Sequence, residues 1–349
     1  MKRALIFGIT GQDGSYMAEI LLSKGYEVHG VVRSSSSPNT ARIDGIMREV
    51  ERDDIPLHLH RADLLDTSSL IQVLERTNPA EVYNLAAQSH VGDSFTVAEY
   101  TSNVTGLGTL RLLEAMKILG MSGRFYQASS SEMFGGTAPP QNEESRFRPR
   151  SPYAASKLYA YWITRNYREA YGMYTVNGIL FNHESPRRGS SFVTRKISRA
   201  VARIAAGLDR NVTLGNLDAV RDWGYAPEYM ECVWRMLQQE TPGDYVVATG
   251  SGFTVKEFAE MAFQSAGLDW LDHVVVNQEL WRPNEVDALI GDPSKVADVL
   301  GWKATTLAPE LAEIMVAADV RQLSQTPSSS AFLSWTEERA TRQKCRPSD

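Results

Sequence analysis

Cysteine is nearly absent from this chain: 349 residues contain two, Cys232 and Cys345. They lie far apart and lack the short spacings of a metal knuckle, which argues against a disulfide-stapled scaffold or a cysteine zinc site. Long apolar runs are missing too. No stretch approaches the roughly 20 residues a membrane-spanning helix needs. The first run, Ala4 to Phe7, stops at Gly8, too soon for a secretory h-region. No membrane partner and a cytoplasmic address are therefore expected. Positive charge is not in excess either, since 36 basic residues face 42 acidic ones for a net charge of −6. That balance argues against nucleic acid as a partner and leaves room for a local basic pocket around a small anion. Apolar content is ordinary at 43%, and the length suggests about two domains.

The first third alternates strand and helix signals. Residues 3–7, 27–32, 81–85, 124–128 and 175–180 read as strands, and 14–24, 67–77, 104–119 and 152–170 as helices. Such alternation predicts an α/β fold with a parallel sheet covered by helices on both faces. After about residue 185 the rhythm loosens and Pro, Gly and Arg loops become frequent, as in a smaller, interleaved lobe. The expected division is 1–180 for the first domain, with later segments returning to it, 181–322 for the second lobe and 323–349 for a peripheral tail. Ser34 to Ser37 reads as a short serine loop.

Directly after the first strand comes Gly8-Ile9-Thr10-Gly11-Gln12-Asp13-Gly14. Glycines at this spacing allow a tight turn and let the backbone approach a pyrophosphate at a helix N-terminus. A plain strand-to-helix turn would need no such pattern, and the position between strand and helix is the one a dinucleotide site requires. The fold class follows: a Rossmann-type, doubly wound parallel sheet. The second strand ends at Arg33, where an NAD site usually carries an acidic residue, so NADP is favoured over a merely solvated arginine. Asp63 and Leu64 follow another short strand, where the carboxylate would meet an adenine amino group.

Ser151-Pro152 opens a helix that places Tyr153 and Lys157 on one face at i and i+4. A tyrosine titrates near pH 10, so a base role near neutrality needs a drop of roughly 3 units. The lysine charge and an oxidised nicotinamide would supply it. Alone, the pair is equally compatible with a packed aromatic and an exposed lysine. Ser129-Ser130-Ser131-Glu132 adds to it, because these residues stand at the carboxyl end of a strand, where ligands bind in a parallel sheet.

Together these motifs resemble the extended short-chain dehydrogenase/reductase superfamily. Longer segments resemble one of its families, the GDP-mannose 4,6-dehydratases: GITGQDGSY (8–16), YNLAAQSHV (83–91), SPYAASKLYAYW (151–162), GILFNHESPRRG (178–189), FVTRKISR (192–199), LGNLDAVRDWG (214–224) and RPNEVD (282–287). The resemblance implies internal transfer of a hydride from C4 to C6 of a GDP-mannose ring, with loss of water between. It implies that Tyr153 is the base at the C4 hydroxyl, that Lys157 holds the cofactor ribose and lowers the tyrosine pKa, and that Ser130 assists. Glu132 would handle the C5 proton and loss of the C6 hydroxyl, in place of a mere cap or ion-pair residue.

The same resemblance implies an NADP site from Gly8, Ile9, Thr10, Gly11, Gln12, Asp13, Arg33, Asp63, Leu64, Leu85, Ala86, Ala87, Gln88, Ser89, Tyr100, Lys157, His183 and Arg188. It implies a GDP-sugar site from Ser89, Glu132, Asn182, Val193, Lys196, Arg221, Arg282 and Glu285, and a homodimer or homotetramer reached through the Arg33–Arg42 loop. No metal is expected: His58 and His60 have strand spacing without a third ligand, and His183 reads as a hydrogen-bonder beside a ligand. Trp162 and Trp223 read as packing residues. A GDP-sugar 4-epimerase or 4-ketosugar reductase is the alternative within enzymes, and a silent NADP-binding scaffold the alternative outside them.

Overall fold

Strands that are apolar along their whole length need cover on both faces, and helices supply it here. The computed structural model describes residues 1–34, 39–53 and 55–325. Ser35 to Ser37, Cys345 and the tail beyond 325 lie outside the described residues.

The strands β1 (Arg3–Phe7), β2 (Glu27–Val32), β3 (Leu57–Arg61), β4 (Glu81–Asn84), β5 (Arg124–Ser130) and β6 (Thr175–Leu180) alternate with helices. These are α1 (Gln12–Ser23), α2 (Asp44–Asp53), α3 (Thr67–Thr77), α4 (Ala98–Thr101), α5 (Gly108–Ile118) and α6 (Pro152–Tyr171). The predicted helix over 104–119 is in two parts, a wide π turn at Ser102–Leu107 and then α5. Close packing accompanies this break: a Cβ at Gly108 would lie 2.9 Å from Leu64 Cβ.

The chain continues through β7 (Asn182–Glu184), α7 (Val193–Ala205), β8 (Val212–Leu214), β9 (Val220–Tyr225) and α8 (Ala226–Met236). It then returns to the main sheet with β10 (Asp244–Val247), which pairs in parallel with β6. The remaining elements are β11 (Gly252–Thr254), α9 (Val255–Ser265), β12 (Val274–Val276), β13 (Ala288–Leu289), α10 (Ser294–Leu300) and α11 (Ala308–Gln325). Helix α11 runs three residues past the expected tail boundary at 322, because Leu311, Ala312, Met315 and Val316 bury its face against the small lobe's core.

The main sheet has the order β10-β6-β5-β4-β1-β2-β3, all parallel. Chain direction across the sheet reverses between β1 and β4, which opens a crevice at their carboxyl ends. A smaller sheet is centred on β9, which pairs with β7, β11 and β13. Its core of α7, α9 and α11 gathers around Trp223 and Phe258. A further apolar cluster, including Phe134, Tyr161, Phe181 and Leu289, joins the small sheet to β6 and β10. The crevice therefore lies between the two sheets.

Candidate active site

The floor of the crevice is the turn that leaves β1. Gly11 N–H donates to the Gly8 carbonyl at 2.9 Å, which closes the turn. Gly8 has φ +86°, and a Cβ there would lie 2.9 Å from the Ala86 nitrogen. A Cβ on Gly14 would lie 2.2 Å from the Gly8 oxygen. No other residue fits either position without moving backbone. Gly11 caps α1 without a side-chain hydrogen bond, so the first amides of α1 still face the crevice. This is a cradle for a phosphate group, and it fits a dinucleotide.

Asp13 and His183 tie that turn to β7. The His183 ring lies 3.0 Å from Asp13 Oδ2 through Nε2 and 2.7 Å from the Phe181 carbonyl oxygen through Nδ1. A carbonyl and an ionised carboxylate only accept, so both ring nitrogens donate and the ring is an imidazolium. Burial works against both charges, yet their attraction wins: the Asp13 carboxyl is held well below its usual range and the His183 pKa is raised. The ring stacks on Tyr229, with centroids 5.0 Å apart. Gln12 completes the tie by donating to the His183 carbonyl at 3.1 Å and accepting from Ser185 Oγ at 2.8 Å.

Above the turn, β5 and α6 deliver the reactive side chains. Ser151 caps α6 by accepting from the Ala154 amide at 3.0 Å, with Pro152 in the first turn, as the sequence predicts. Tyr153 and Lys157 project from this helix into the cleft, and Ser130 and Glu132 follow from the end of β5. All four are at most 9% exposed. Ser130 Oγ accepts from the Glu132 amide at 3.2 Å, and the Ser130 hydroxyl works to lower the Tyr153 pKa. Lys157 Nζ donates to the Ala128 carbonyl at 2.5 Å.

In the protein chain alone, burial dominates the electrostatics of this pair. Burial pushes the Tyr153 phenol up to about 12, and Glu132 adds to the rise, while Ser130 and Arg188 oppose it. Burial also pulls Lys157 down to about 8. The chain's own groups thus hold the phenol protonated. Desolvation outweighs the field of a lysine whose nitrogen lies 5.9 Å from the Tyr153 ring centre.

The opposite wall belongs to the small lobe and its loops. Asn182 and His183 come from β7, Val193 and Lys196 from the start of α7, Arg221 from β9, and Arg282 and Glu285 from the loop before β13. Arg221 is buried, and its Nη1 donates to the Val220 and Val286 carbonyls at 2.8 and 2.9 Å. Its Nη2 lies 3.5 Å from Glu285 Oε1. Arg188 lies 3.1 Å from Glu184 Oε2 through Nε and covers the Phe192 ring at 3.7 Å. The Lys196 amide donates to the Phe192 carbonyl at 2.8 Å, while its side-chain ammonium has no hydrogen-bond or ion-pair partner among the described residues. The cleft measures about 590 Å³.

The structure brings most of the expected site residues together there, including Gly8, Gly11, Gln12, Asp13, Leu85, Ala87, Ser89, Arg188 and the residues of both walls. Ile9, Thr10, Arg33, Asp63, Leu64, Ala86, Gln88 and Tyr100 do not line it. Ile9 and Leu64 bury their side chains in the core, so only their backbone is left for a ligand. Arg33 sits at the end of β2 and donates to the Tyr100 hydroxyl at 2.9 Å, on the exposed approach to the turn. Gln88 accepts from Thr101 Oγ1 at 3.2 Å. Asp63 Oδ1 accepts from the Leu65 amide at 2.9 Å. Sequence reasoning missed Arg42, which lines the cleft and donates to the Arg187 and Thr10 carbonyls at 2.7 and 3.1 Å. It also missed Phe192 and His90, whose rings pack edge to face with centroids 5.5 Å apart.

A crevice with this cradle and a Ser-Tyr-Lys set joined by Glu132 narrows the possibilities to few families. The model of the GDP-mannose 4,6 dehydratase family matches residues 5–315. The chain belongs to this family. GDP-mannose 4,6 dehydratase 2 of Arabidopsis thaliana is 56% identical over 91% of this chain and 87% of its own length. GDP-mannose 4,6 dehydratase of Cricetulus griseus is 51% identical over 94% of each. Among solved structures, RMD from Pseudomonas aeruginosa complexed with NADPH is similar at a TM-score of 0.76 and 25% identity, covering 92% of this chain and 100% of that one. The UDP-glucose 4-epimerase of Thermus thermophilus, complexed with NAD, has a TM-score of 0.78 and 26% identity, covering 91% and 98%.

Proposed function

We propose that this member of the family dehydrates GDP-α-D-mannose to GDP-4-dehydro-6-deoxy-D-mannose with tightly held NADP, in the synthesis of GDP-deoxysugars. The observation that carries the reading is Glu132, set beside Ser130 and Tyr153 in one cleft. Hydride transfer at C4 needs no carboxylate there, whereas elimination of water needs an acid/base group.

When bound, NADP would supply a hydride acceptor for C4 in its oxidised form, a hydride donor for C6 once reduced, and the positive charge that the burial-raised phenol needs. The chain does the rest. Tyr153 takes the C4 hydroxyl proton, with Ser130 beside it. With C4 a ketone, Glu132 takes the C5 proton and passes it to the departing C6 hydroxyl, which leaves as water. Return of the C4 hydride to C6 and delivery to C5 of one proton, equal to the one Tyr153 took, complete the product, so atoms and charge balance without net oxidation. Lys196, Arg221 and Arg282 offer donors to a diphosphate on the opposite wall.

The glycine turn, Asp13, His183 and Arg188 would hold the cofactor. Arg33, with no acidic residue at the end of β2, favours a 2′-phosphate and hence NADP. Residues 1–180 carry mainly the cofactor side and 181–322 mainly the sugar nucleotide. A homodimer or homotetramer and a cytoplasmic address complete the reading, and sedimentation of the purified protein tests the assembly.

The test of the activity is to mix purified protein with GDP-mannose and no added cofactor, following product mass and nicotinamide absorbance. Loss of one water without a lasting absorbance change supports the reading. If no water is lost even with added NADP, the epimerase or reductase alternative takes its place.

A further inference from the structure

Glu132 is nearly buried, and its carboxylate has one hydrogen-bonded side-chain partner among the described residues. Arg282 Nη1 donates to Oε1 at 3.3 Å. The arginine reaches Glu132 from a loop 150 positions later in the sequence. Its side chain is 32% exposed and lines the same cleft. The same guanidinium lies 3.9 Å from Glu285 Oε1, which in turn faces Arg221. Arg221 is pinned by two backbone carbonyls and so forms a fixed post. The chain of contacts therefore runs from that post through Glu285 and Arg282 to the carboxylate.

We propose that Arg282 is the positioning residue of Glu132. This rests on the dehydratase reading above, and goes beyond it in giving Arg282 a part in elimination in addition to diphosphate binding. With Oε1 occupied by the guanidinium, Oε2 is the oxygen left to meet the C5 proton. Removing the guanidinium takes away the one side-chain donor that fixes the aim of the carboxylate. The part in elimination acts on the second half of the reaction, and the lost diphosphate contact adds a rise in KM common to both halves. Hydride and proton removal at C4 depend on Tyr153, Ser130 and Lys157, none of which touches Arg282.

The experiment uses the full-length holoprotein with GDP-mannose in D₂O, comparing wild type, Arg282→Gln and Arg282→Lys. In Arg282→Gln, C4 oxidation persists and reduced nicotinamide accumulates. Deuterium entry at C5 and water loss fall together by about 100-fold, the usual scale of one acid/base group. Arg282→Lys, which keeps charge but loses the planar fork, recovers about tenfold of that loss. The proposal is overturned if Arg282→Gln only raises KM while kcat and C5 exchange stay at wild-type values, since that is the behaviour of a phosphate anchor. Should Arg282→Gln not fold, Arg282→Lys decides by the same ratio of C5 exchange to C4 oxidation. A wild-type protein that takes no water from GDP-mannose overturns the dehydratase reading itself, and this proposal with it. Wild-type dehydration with an unaffected Arg282→Gln protein overturns the proposal alone.

Discussion

The cofactor wall of the cleft is made mostly of backbone, while the wall facing it is made mostly of charged side chains. On the first, the β1 turn is held by two glycines that tolerate no Cβ, and by strand ends whose register is fixed across the parallel sheet. On the second, Arg221, Arg282 and Glu285 hold one another and Glu132 across a loop. The first wall is preorganised by packing and changes little without breaking. The second is held by ion pairs that can exchange partners, which suits the recognition of a diphosphate. Asp13–His183 is an exception on the cofactor wall, an ion pair that does a job otherwise given to backbone.

This contrast can be broken by substitution. The largest effect is expected for Gly14→Ala, whose Cβ would stand 2.2 Å from the Gly8 oxygen. Roughly 3 kcal/mol of stability should be lost, together with retained cofactor. By comparison, Arg282→Gln should melt within about 1 kcal/mol of wild type. Equal melting of both proteins would mean that the cofactor wall is not set by its backbone.

Asp13→Asn should cost roughly 2–3 kcal/mol, since it leaves the His183 charge without its partner. The pH dependence has a definite sign. His183 has a raised pKa, so its contribution is full below the ordinary histidine value of 6.5 and is lost as pH climbs through the raised one. Asp13 has a lowered pKa, so its contribution is present above 3.8 and is lost as pH falls through the lowered value. Denaturant melts should therefore show the widest gap between wild type and Asp13→Asn at about pH 4–6.5. A gap that grows toward pH 9 would rule out the imidazolium.

Activity should respond to Lys157 on the alkaline side. With its pKa near 8, the ammonium is lost above that pH, and the initial rate should then fall about tenfold per pH unit. A flat profile to pH 10 would remove the lysine charge from the account.

The smallest effect lies far from the cleft, at the edge formed by β2 and β3. Burial and the neighbouring His60 pull His29 down to about 4. A lowered histidine pKa means that the unfolded chain binds the proton first, so stability falls as pH drops from 6.5 toward 4. Neutral His29→Gln should remove about 1–2 kcal/mol of that acid loss, allowing for solvent screening, and leave the rate at pH 7 unchanged. A change in rate would couple the edge to the site.

Much of the cofactor wall was legible in the sequence because its determinants are local. A glycine pattern between strand and helix, a Ser-Pro helix start and an i, i+4 pair each specify geometry over a few residues. The helix over 67–77 and the strand over 175–180 fall where periodicity put them. The other wall was legible only through family resemblance, since contacts such as Arg282 with Glu132 join distant segments. Likewise His58 and His60 lacked a third neighbour in the sequence, and the pairing of β2 with β3 brings His29 opposite His58. At Tyr153, spacing shows the nearby lysine but not the burial that raises the phenol.

The most direct test of the central claim is to follow the hydrogen itself. GDP-mannose carrying deuterium at C4 is incubated with the purified protein, and the product is examined by NMR. Internal transfer predicts deuterium at C6 of a 6-deoxy-4-ketosugar, with one water lost. Deuterium recovered in released reduced cofactor, beside a 4-ketosugar that keeps its C6 hydroxyl, would contradict the account and make this cleft a simple oxidoreductase.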